Sequence, residues 1–539
     1  MSSEGFDRRE FLNFLGVASL SFGTFSSCKT AAVNAVAPPN KTPNFYDRAH
    51  TLSLNPSTKD DLLLAQGLSY EVILSYGDKI NLAGDEFGSH NDFLAFAPLN
   101  DNHTEGVLWV NHEYHHTLFV HGQAIAAQDK TKAQVEKEMG GVGGSLVHIV
   151  LNKQGRWQLK LESPYNRRIS ALTPINFSNN HLIMGTNTAL GTLANCAGGM
   201  TPYGTILSCE ENYDFNYGEV SFADGSRSLV MKAAKDGWER FYAQPPEHYG
   251  WVVEINPFTG AAEKLVELGR MAHECATVNV AHDGRLVVYT GDDRAGEHLY
   301  KFISDRPGSL KSGTLYVAEF GKGQWIPLDL QQTPILQKHF TTQLELLIRC
   351  REAAKIVGAT PLDRPEDIEI QPGSNAIFIA CSNNIPKGNY FGTLSKVVES
   401  DNNPLSLTFS AREWLFGGEQ SGIACPDNLA FDSHGNLWVT TDVSETAMHK
   451  SPYAAFGNNS LFMIPISGDE AGRPLRMASA PRDAELTGPL FSKDGNTLFL
   501  SVQHPGCTAS DLKNPTSTWP TGNRAKSSVV AINGFNNIS

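Results

Sequence analysis

An all-β fold, a β-propeller with inserted loops and short helices, is what this sequence predicts, and three observations predict it. Short strand-like runs recur along the chain, a repeated turn opens several of them, and helix-forming stretches are scarce. The runs include residues 106–110, 145–150, 251–255, 286–290, 376–380, 437–441 and 497–501, all rich in Val, Ile, Leu and aromatic side chains. Asp283-Gly284, His434-Gly435 and Asp494-Gly495 precede three of them, and such Gly turns supply the positive φ angles that tight hairpins need. Hairpins repeated over several hundred residues imply radial repetition of small sheets. Two packed β-sandwiches are the rival architecture, but hairpins spread this widely fit a propeller better. The spacing is irregular and gives no blade count. Residues 131–139 and 341–356 concentrate Glu, Lys, Gln and Leu, which predicts helical insertions there.

A chain of 539 residues exceeds the usual single domain. A propeller grows by adding blades rather than new cores, so residues 45–539 are expected to form one catalytic domain. Before it, Asp7-Arg8-Arg9-Glu10-Phe11-Leu12 is a twin-arginine pattern, followed by the modestly apolar residues 14–25. That stretch is too short to span a bilayer and suits a signal peptide, so residues 1–30 read as an export signal. Residues 31–44, rich in Ala, Pro and Asn, read as a linker. Twin-arginine export places the protein in the periplasm or outside the cell, with the export machinery as its partner. Cys28 follows an imperfect lipobox, and membrane attachment is expected only if that residue is lipidated.

The net charge of −14 excludes nucleic acid as a partner, because no basic surface replaces phosphate counterions. It fits either a solvated acidic surface or carboxylates gathered around cations. Eight cysteines, at 28, 196, 209, 275, 350, 381, 425 and 507, form no Cys-x-x-Cys pair, so a zinc ribbon or thioredoxin site is unsupported. Those at 196, 209, 275 and 425 lie beside carboxylates or Gly-rich turns and are candidate thiolate ligands.

Propellers carry function on the loops at one mouth of the channel, so acidic residues just beyond strand ends are the candidates. Eight places qualify: Asn91-Asp92, His112-Glu113, Glu210-Glu211, His273-Glu274, Asp292-Asp293, the stretch 364–369, Asp427-Asn428 and Glu485. Any one of them alone is ordinarily solvated surface. Glu274 and Asp427, however, sit among small and apolar residues, where a buried carboxylate needs a cation or a shifted pKa. Carboxylate and Asn oxygens suit Ca²⁺, and a cysteine among them suggests a softer transition metal alongside. His115-His116 reads as surface rather than ligand. Arg364 has two readings, a planar fork for phosphate oxygens or a structural ion pair with Glu366 or Asp367. No Gly-x-Ser-x-Gly motif, phosphate loop or dinucleotide fingerprint occurs.

Residues 195–212, from Asn195-Cys196 through Cys209-Glu210-Glu211-Asn212, resemble the signature stretch of PhoX-type alkaline phosphatases. The resemblance extends through residues 109–114, 268–274, 364–369, 424–432, 486–489 and 503–506, and so over the chain from about residue 45 onward. It implies a metal-dependent propeller phosphatase with Fe³⁺ and Ca²⁺ as cofactors, acting as a monomer on small-molecule phosphate monoesters through a metal-bound oxygen nucleophile. On the same grounds Cys196 binds iron, and Glu211, Glu274 and Glu366 are carboxylate ligands. Arg364 binds the substrate phosphate and, with Glu366, is catalytic. Asp292, Asp293, Glu113 and Glu485 are further metal candidates, mainly for calcium. Two positions depart from the family pattern: Tyr203 stands in place of Trp, and Val142-Gly143-Gly144-Ser145 in place of His-Gly-Gly-Ser. The competing functions are a calcium-dependent propeller lactonase and a non-enzymatic binding propeller, neither of which needs Cys196 or Arg364.

Overall fold

In a computed structural model that describes residues 45–222, 225–231 and 234–535, the repeated hairpins build six sheets, antiparallel except for one parallel pair in the second, arranged as the blades of a propeller. The signal, linker and Cys28 expectations lie outside the described residues. The innermost strands, in chain order, are Asn91–Pro98, Asn195–Met200, Thr277–Val280, Pro365–Ile370, Pro426–Phe431 and Glu485–Phe491. Each pairs with the next strand outward: Glu105–His112, Ile206–Glu210, Arg285–Gly291, Ile377–Cys381, Leu437–Thr441 and Thr497–Gln503. In the last blade the outer strand is Ser69–Ser75, antiparallel to Ser528–Asn533, so strands from the two ends of the domain share one sheet and close the ring.

Alternation along the strands places apolar side chains between blades. Trp157 of the first blade and Phe499 of the sixth meet edge to face with ring centroids 5.1 Å apart. Trp438, Phe491 and Phe535 form a similar cluster. Each fully buried aromatic of this kind contributes about 2–3 kcal/mol. Close approach between blades needs glycine at two places. A Cβ on Gly199 would lie 2.0 Å from the Ala276 carbonyl oxygen, and one on Gly291 would lie 2.2 Å from that of Pro365.

The helical insertions fall where composition placed them. Lys132–Gly141 begins with a Thr131–Gln134 capping box. Residues 341–356 form two helices, Gln343–Ile348 and Cys350–Ile356, which meet at Arg349. A two-stranded hairpin, Glu219–Ser221 with Ser228–Val230, is inserted within the second blade. Among the described residues no helix is long and apolar enough to cross a membrane.

Candidate metal centre

One register detail, repeated around the ring, builds the site. The first, second, fourth and fifth innermost strands each carry a β-bulge at their start, with register shifts between residues 91 and 94, 195 and 198, 365 and 368, and 426 and 429. A bulge bends its strand and re-aims a side chain. The bulged residues include Asp92, Cys196, Glu366 and Asp427. The residue just before each of these strands holds a positive φ: His90 at 48°, Ala194 at 51°, Arg364 at 56° and Cys425 at 52°. Their carbonyls accept backbone hydrogen bonds from Glu113, Glu211, Ser382 and Asp442, the residues just past the neighbouring strands. Left-handed backbone at a non-glycine residue costs about 1–3 kcal/mol and is concentrated at functional sites. The strain holds two layers of side chains at one end of the channel. The innermost strands supply Asp92, Cys196, Glu366, Asp427 and Glu485, and the loop just before the third of them supplies Glu274. The neighbouring strands supply Glu113, Glu211, Asp293, Ser382, Asp442 and Gln503.

Within this ring, ligand atoms fall into three overlapping groups: Asp92, Glu113 and Cys196; Cys196, Glu211 and Glu274; and Glu274, Glu366 and Asp427. In each group the atoms lie within 4.8 Å of one another, and Cys196 and Glu274 are each shared between two groups. Cys196 Sγ is 3.2 Å from Glu274 Oε1 and 3.9 Å from Asp92 Oδ2. Gln503 Nε2 donates to Asp92 Oδ2 at 2.8 Å and to Glu113 Oε2 at 3.3 Å. Asn212 donates to both Glu211 and the Tyr114 hydroxyl. The Asn111 amide donates to the Cys196 and Ala197 carbonyls and fixes the cysteine from behind. Arg364 Nη2 lies 2.6 Å from Asp293 Oδ2 and 2.9 Å from Glu366 Oε1, while Ser382 donates to Glu366 at 2.5 Å.

Electrostatics set the requirement for cations. Burial, with the neighbouring carboxylates adding to it, raises the pKa of Glu113, Glu274, Asp427 and Glu485 well above the carboxylate range and that of Asp92 to about 7. Glu366 is likewise raised by burial, against the lowering effect of Arg364. Burial beside the same carboxylates pushes the Cys196 thiol up. Asp92 Oδ1, Glu211 Oε1 and Asp293 Oδ1 are buried without a hydrogen-bond partner. Carboxylates converging in this way remain charged only with cations between them. The donor set fits metal: many hard oxygens, with one thiolate in two of the three groups.

Not every sequence candidate belongs here. Asp292 lies outside the three groups: both its oxygens are bonded by Arg351, and it accepts the Ala272 N–H. Asp293 faces Arg364, and Glu485 faces Asp427, Asp442 and Asp92. Cys209, Cys275 and Cys425 are buried outside the three groups, leaving Cys196 as the sulfur among the carboxylates. His115 is not surface; its side chain is 5% exposed, stacks on Trp238 and faces the buried Glu138 carboxylate. Tyr203 is 43% exposed and bonds Glu254, away from the centre. Sequence reasoning passed over Asp442, Ser382 and Gln503 as site residues. Asp442 directly follows strand Leu437–Thr441, so the strand-end rule that selected Glu113 also selects it. Ser382 and Gln503 are uncharged and give no such signal.

These features define a metal-dependent β-propeller enzyme, with carboxylates and one cysteine from five of the six blades gathered into groups that could hold cations at one mouth of the channel. The family model for alkaline phosphatase PhoX matches residues 50–506. The chain belongs to the PhoX alkaline phosphatase family and is a metal-dependent phosphatase. The structure of Pseudomonas fluorescens PhoX in complex with vanadate, a transition state analogue, superimposes with a TM-score of 0.80 at 29% identity, covering 90% of this chain and 97% of that one. A gluconolactonase from Xanthomonas campestris (TM-score 0.35, 10% identity, 89% and 97% covered) and a calcium structure of a Trichoderma reesei family AA12 enzyme (0.37, 11%, 89% and 98%) are far more distant. No curated protein matches the chain.

Proposed function

We propose that the enzyme hydrolyses phosphate monoesters, with Fe³⁺ at Cys196, Ca²⁺ among the surrounding carboxylates, and Arg364 receiving the phosphoryl group. The observation that carries this reading is the meeting of Cys196, Glu211, Glu274 and Glu366 in overlapping ligand groups within reach of one guanidinium. The thiolate favours the transition metal, whereas the oxygen donors suit calcium. Cations bound there supply Lewis-acid chemistry: they neutralise charge growing on the phosphoryl oxygens and acidify water.

The chain's own residues do the positioning. Arg364 is 29% exposed at the mouth and meets its two carboxylates through Nη2, which leaves its other N–H groups for a phosphoryl oxygen. Glu366 is held between Arg364 and the Ser382 hydroxyl and so keeps one orientation as substrate arrives. Gln503 fixes Asp92 and Glu113 in the same way, and Asn212 fixes Glu211. The vanadate complex of the Pseudomonas relative supports phosphoryl transfer as the chemistry at this position.

The test combines metal analysis with phosphate release from monoesters, before and after chelation. Chelated protein is expected to lose turnover, and Cys196→Ser to lose iron while retaining calcium. Full turnover in metal-free protein would overturn the proposal. We further read residues 45–539 as a single monomeric catalytic unit, delivered to the periplasm or beyond by the twin-arginine pathway and membrane-attached only through Cys28. Replacing Arg8 and Arg9 by Lys is expected to leave the precursor in the cytoplasm; undiminished export would refute that route.

A further inference from the structure

A cavity of about 350 Å³ adjoins the centre, and Glu113 belongs to both. The Tyr114 hydroxyl accepts from Asn212, which also holds Glu211, so the aromatic wall of the cavity is tied directly to the ligand groups. This wall adds to its carboxylates a lysine and four histidines, nitrogen groups that the centre lacks. Lys235 rests on the Phe215 ring, 3.6 Å from its centroid, and among the described residues no carboxylate pairs with it. His90 is only 7% exposed, and its Nδ1 has no hydrogen-bond partner; His116 Nδ1 is buried and equally unpartnered. Of the acidic groups of the wall, Glu113 belongs to the ligand groups, Asp236 pairs with Asn216 and His115, and Glu445 accepts from Ser444 and faces His116 and His504, which leaves Lys235 as the cation without a carboxylate. The cavity therefore offers unpaired nitrogen groups in a protein of net charge −14. Its volume suits a small organic group.

We propose that this cavity is the subsite for the alcohol half of the substrate and that Lys235, with His90 and His116, favours esters whose alcohol carries a second anionic group, a carboxylate or another phosphate. A phosphoryl group at Arg364 and the metal ligands leaves its alcohol oxygen bonded to the remainder of the substrate, and the space beside Glu113 receives that remainder. A bare hydroxyl or alkyl group there leaves the Lys235 ammonium and the two imidazoles unpaired. An oxyanion satisfies them with charge-assisted hydrogen bonds.

The inference rests on the phosphatase reading, and the experiment separates the two. Metal-replete enzyme is assayed with phenyl phosphate and 4-carboxyphenyl phosphate, which differ in one carboxylate. Lys235→Ala is expected to lower kcat/KM for the carboxylated ester about tenfold, mainly through KM, while phenyl phosphate changes by less than about twofold. Lys235→Glu is expected to widen that gap, and His116→Ala to reproduce it more weakly. Taking the ratio of the two esters in each variant removes their intrinsic difference in leaving-group reactivity. Equal losses on both esters, or no loss on either, would overturn the subsite while leaving the phosphatase intact. Hydrolysis of neither ester by the unmodified enzyme would bring down the monoester reading, and the subsite with it.

Discussion

Glu366 concentrates the chemistry at the scale of single residues. It contacts Arg364 and Ser382 and belongs to a ligand group with Glu274 and Asp427. Glu366→Gln keeps the volume and the hydrogen bond but removes a charge that the bound cation requires. Turnover is expected to fall by at least about a hundredfold, with an unchanged circular dichroism spectrum, because the loss is electrostatic rather than structural. Collapse of the fold together with activity would instead make Glu366 a structural residue. Arg364 bears a comparable constraint in its backbone, held at a φ of 56° just before its strand. The spacing of 364–369 already offered two roles for this residue, phosphate fork or ion pair. The geometry shows the pairing, with Asp293 as the partner no local pattern indicated, because Asp293 arrives from the adjacent blade.

Strands and their glycines decide how closely the ligand-bearing ends meet. Gly291 ends the second strand of the third blade, and an added Cβ there would strike the Pro365 carbonyl at 2.2 Å and that of Glu366 at 2.9 Å. Gly291→Ala is therefore expected to push the fourth blade's innermost strand outward. Overpacking of this kind costs about 1–3 kcal/mol, and the displaced Glu366 should lower kcat more than the melting temperature. Parallel measurement of kcat and melting temperature checks this; an unchanged kcat would show that the strand end tolerates the shift. A buried ion pair braces the neighbouring element. Lys264 Nζ lies 2.6 Å from Glu210 Oε1, both side chains fully buried, and it anchors the end of the strand from which Glu211 projects. The runs that sequence marked as strands at 286–290, 376–380 and 437–441 form strands in the structure, and their continuous apolar residues are buried on both faces of the blade.

The whole ring stores the repulsion of its carboxylates, so its stability is linked to cations and pH. In metal-free protein the Asp92 pKa rises from 3.8 to about 7, chiefly through burial. The folded state then binds more protons than the unfolded one between those values. Stability from this group is fully present below 3.8 and is lost as pH rises through about 7. The melting temperature of chelated enzyme is expected to fall over that interval and that of metal-loaded enzyme to stay higher throughout, as ligand linkage requires. Scanning calorimetry at pH 5 and pH 8, with and without chelator, measures the difference; metal-free protein that gains stability with rising pH would contradict the stored repulsion.

By itself the sequence determined the propeller class, the helical insertions and the acidic strand ends, because each depends on short-range rules of periodicity, turn chemistry and composition. Spacing alone left open which carboxylates share a cation: Asp292 and Asp293 are adjacent in the chain, yet one serves Arg351 and the other faces Arg364. The number of blades, the overlapping groups around Cys196 and Glu274, and the parts played by Asp442, Ser382 and Gln503 were decided by tertiary structure alone. Ring closure brings together residues such as Asp92 and Gln503, 411 positions apart, and no local pattern records a contact made only when the last blade meets the first.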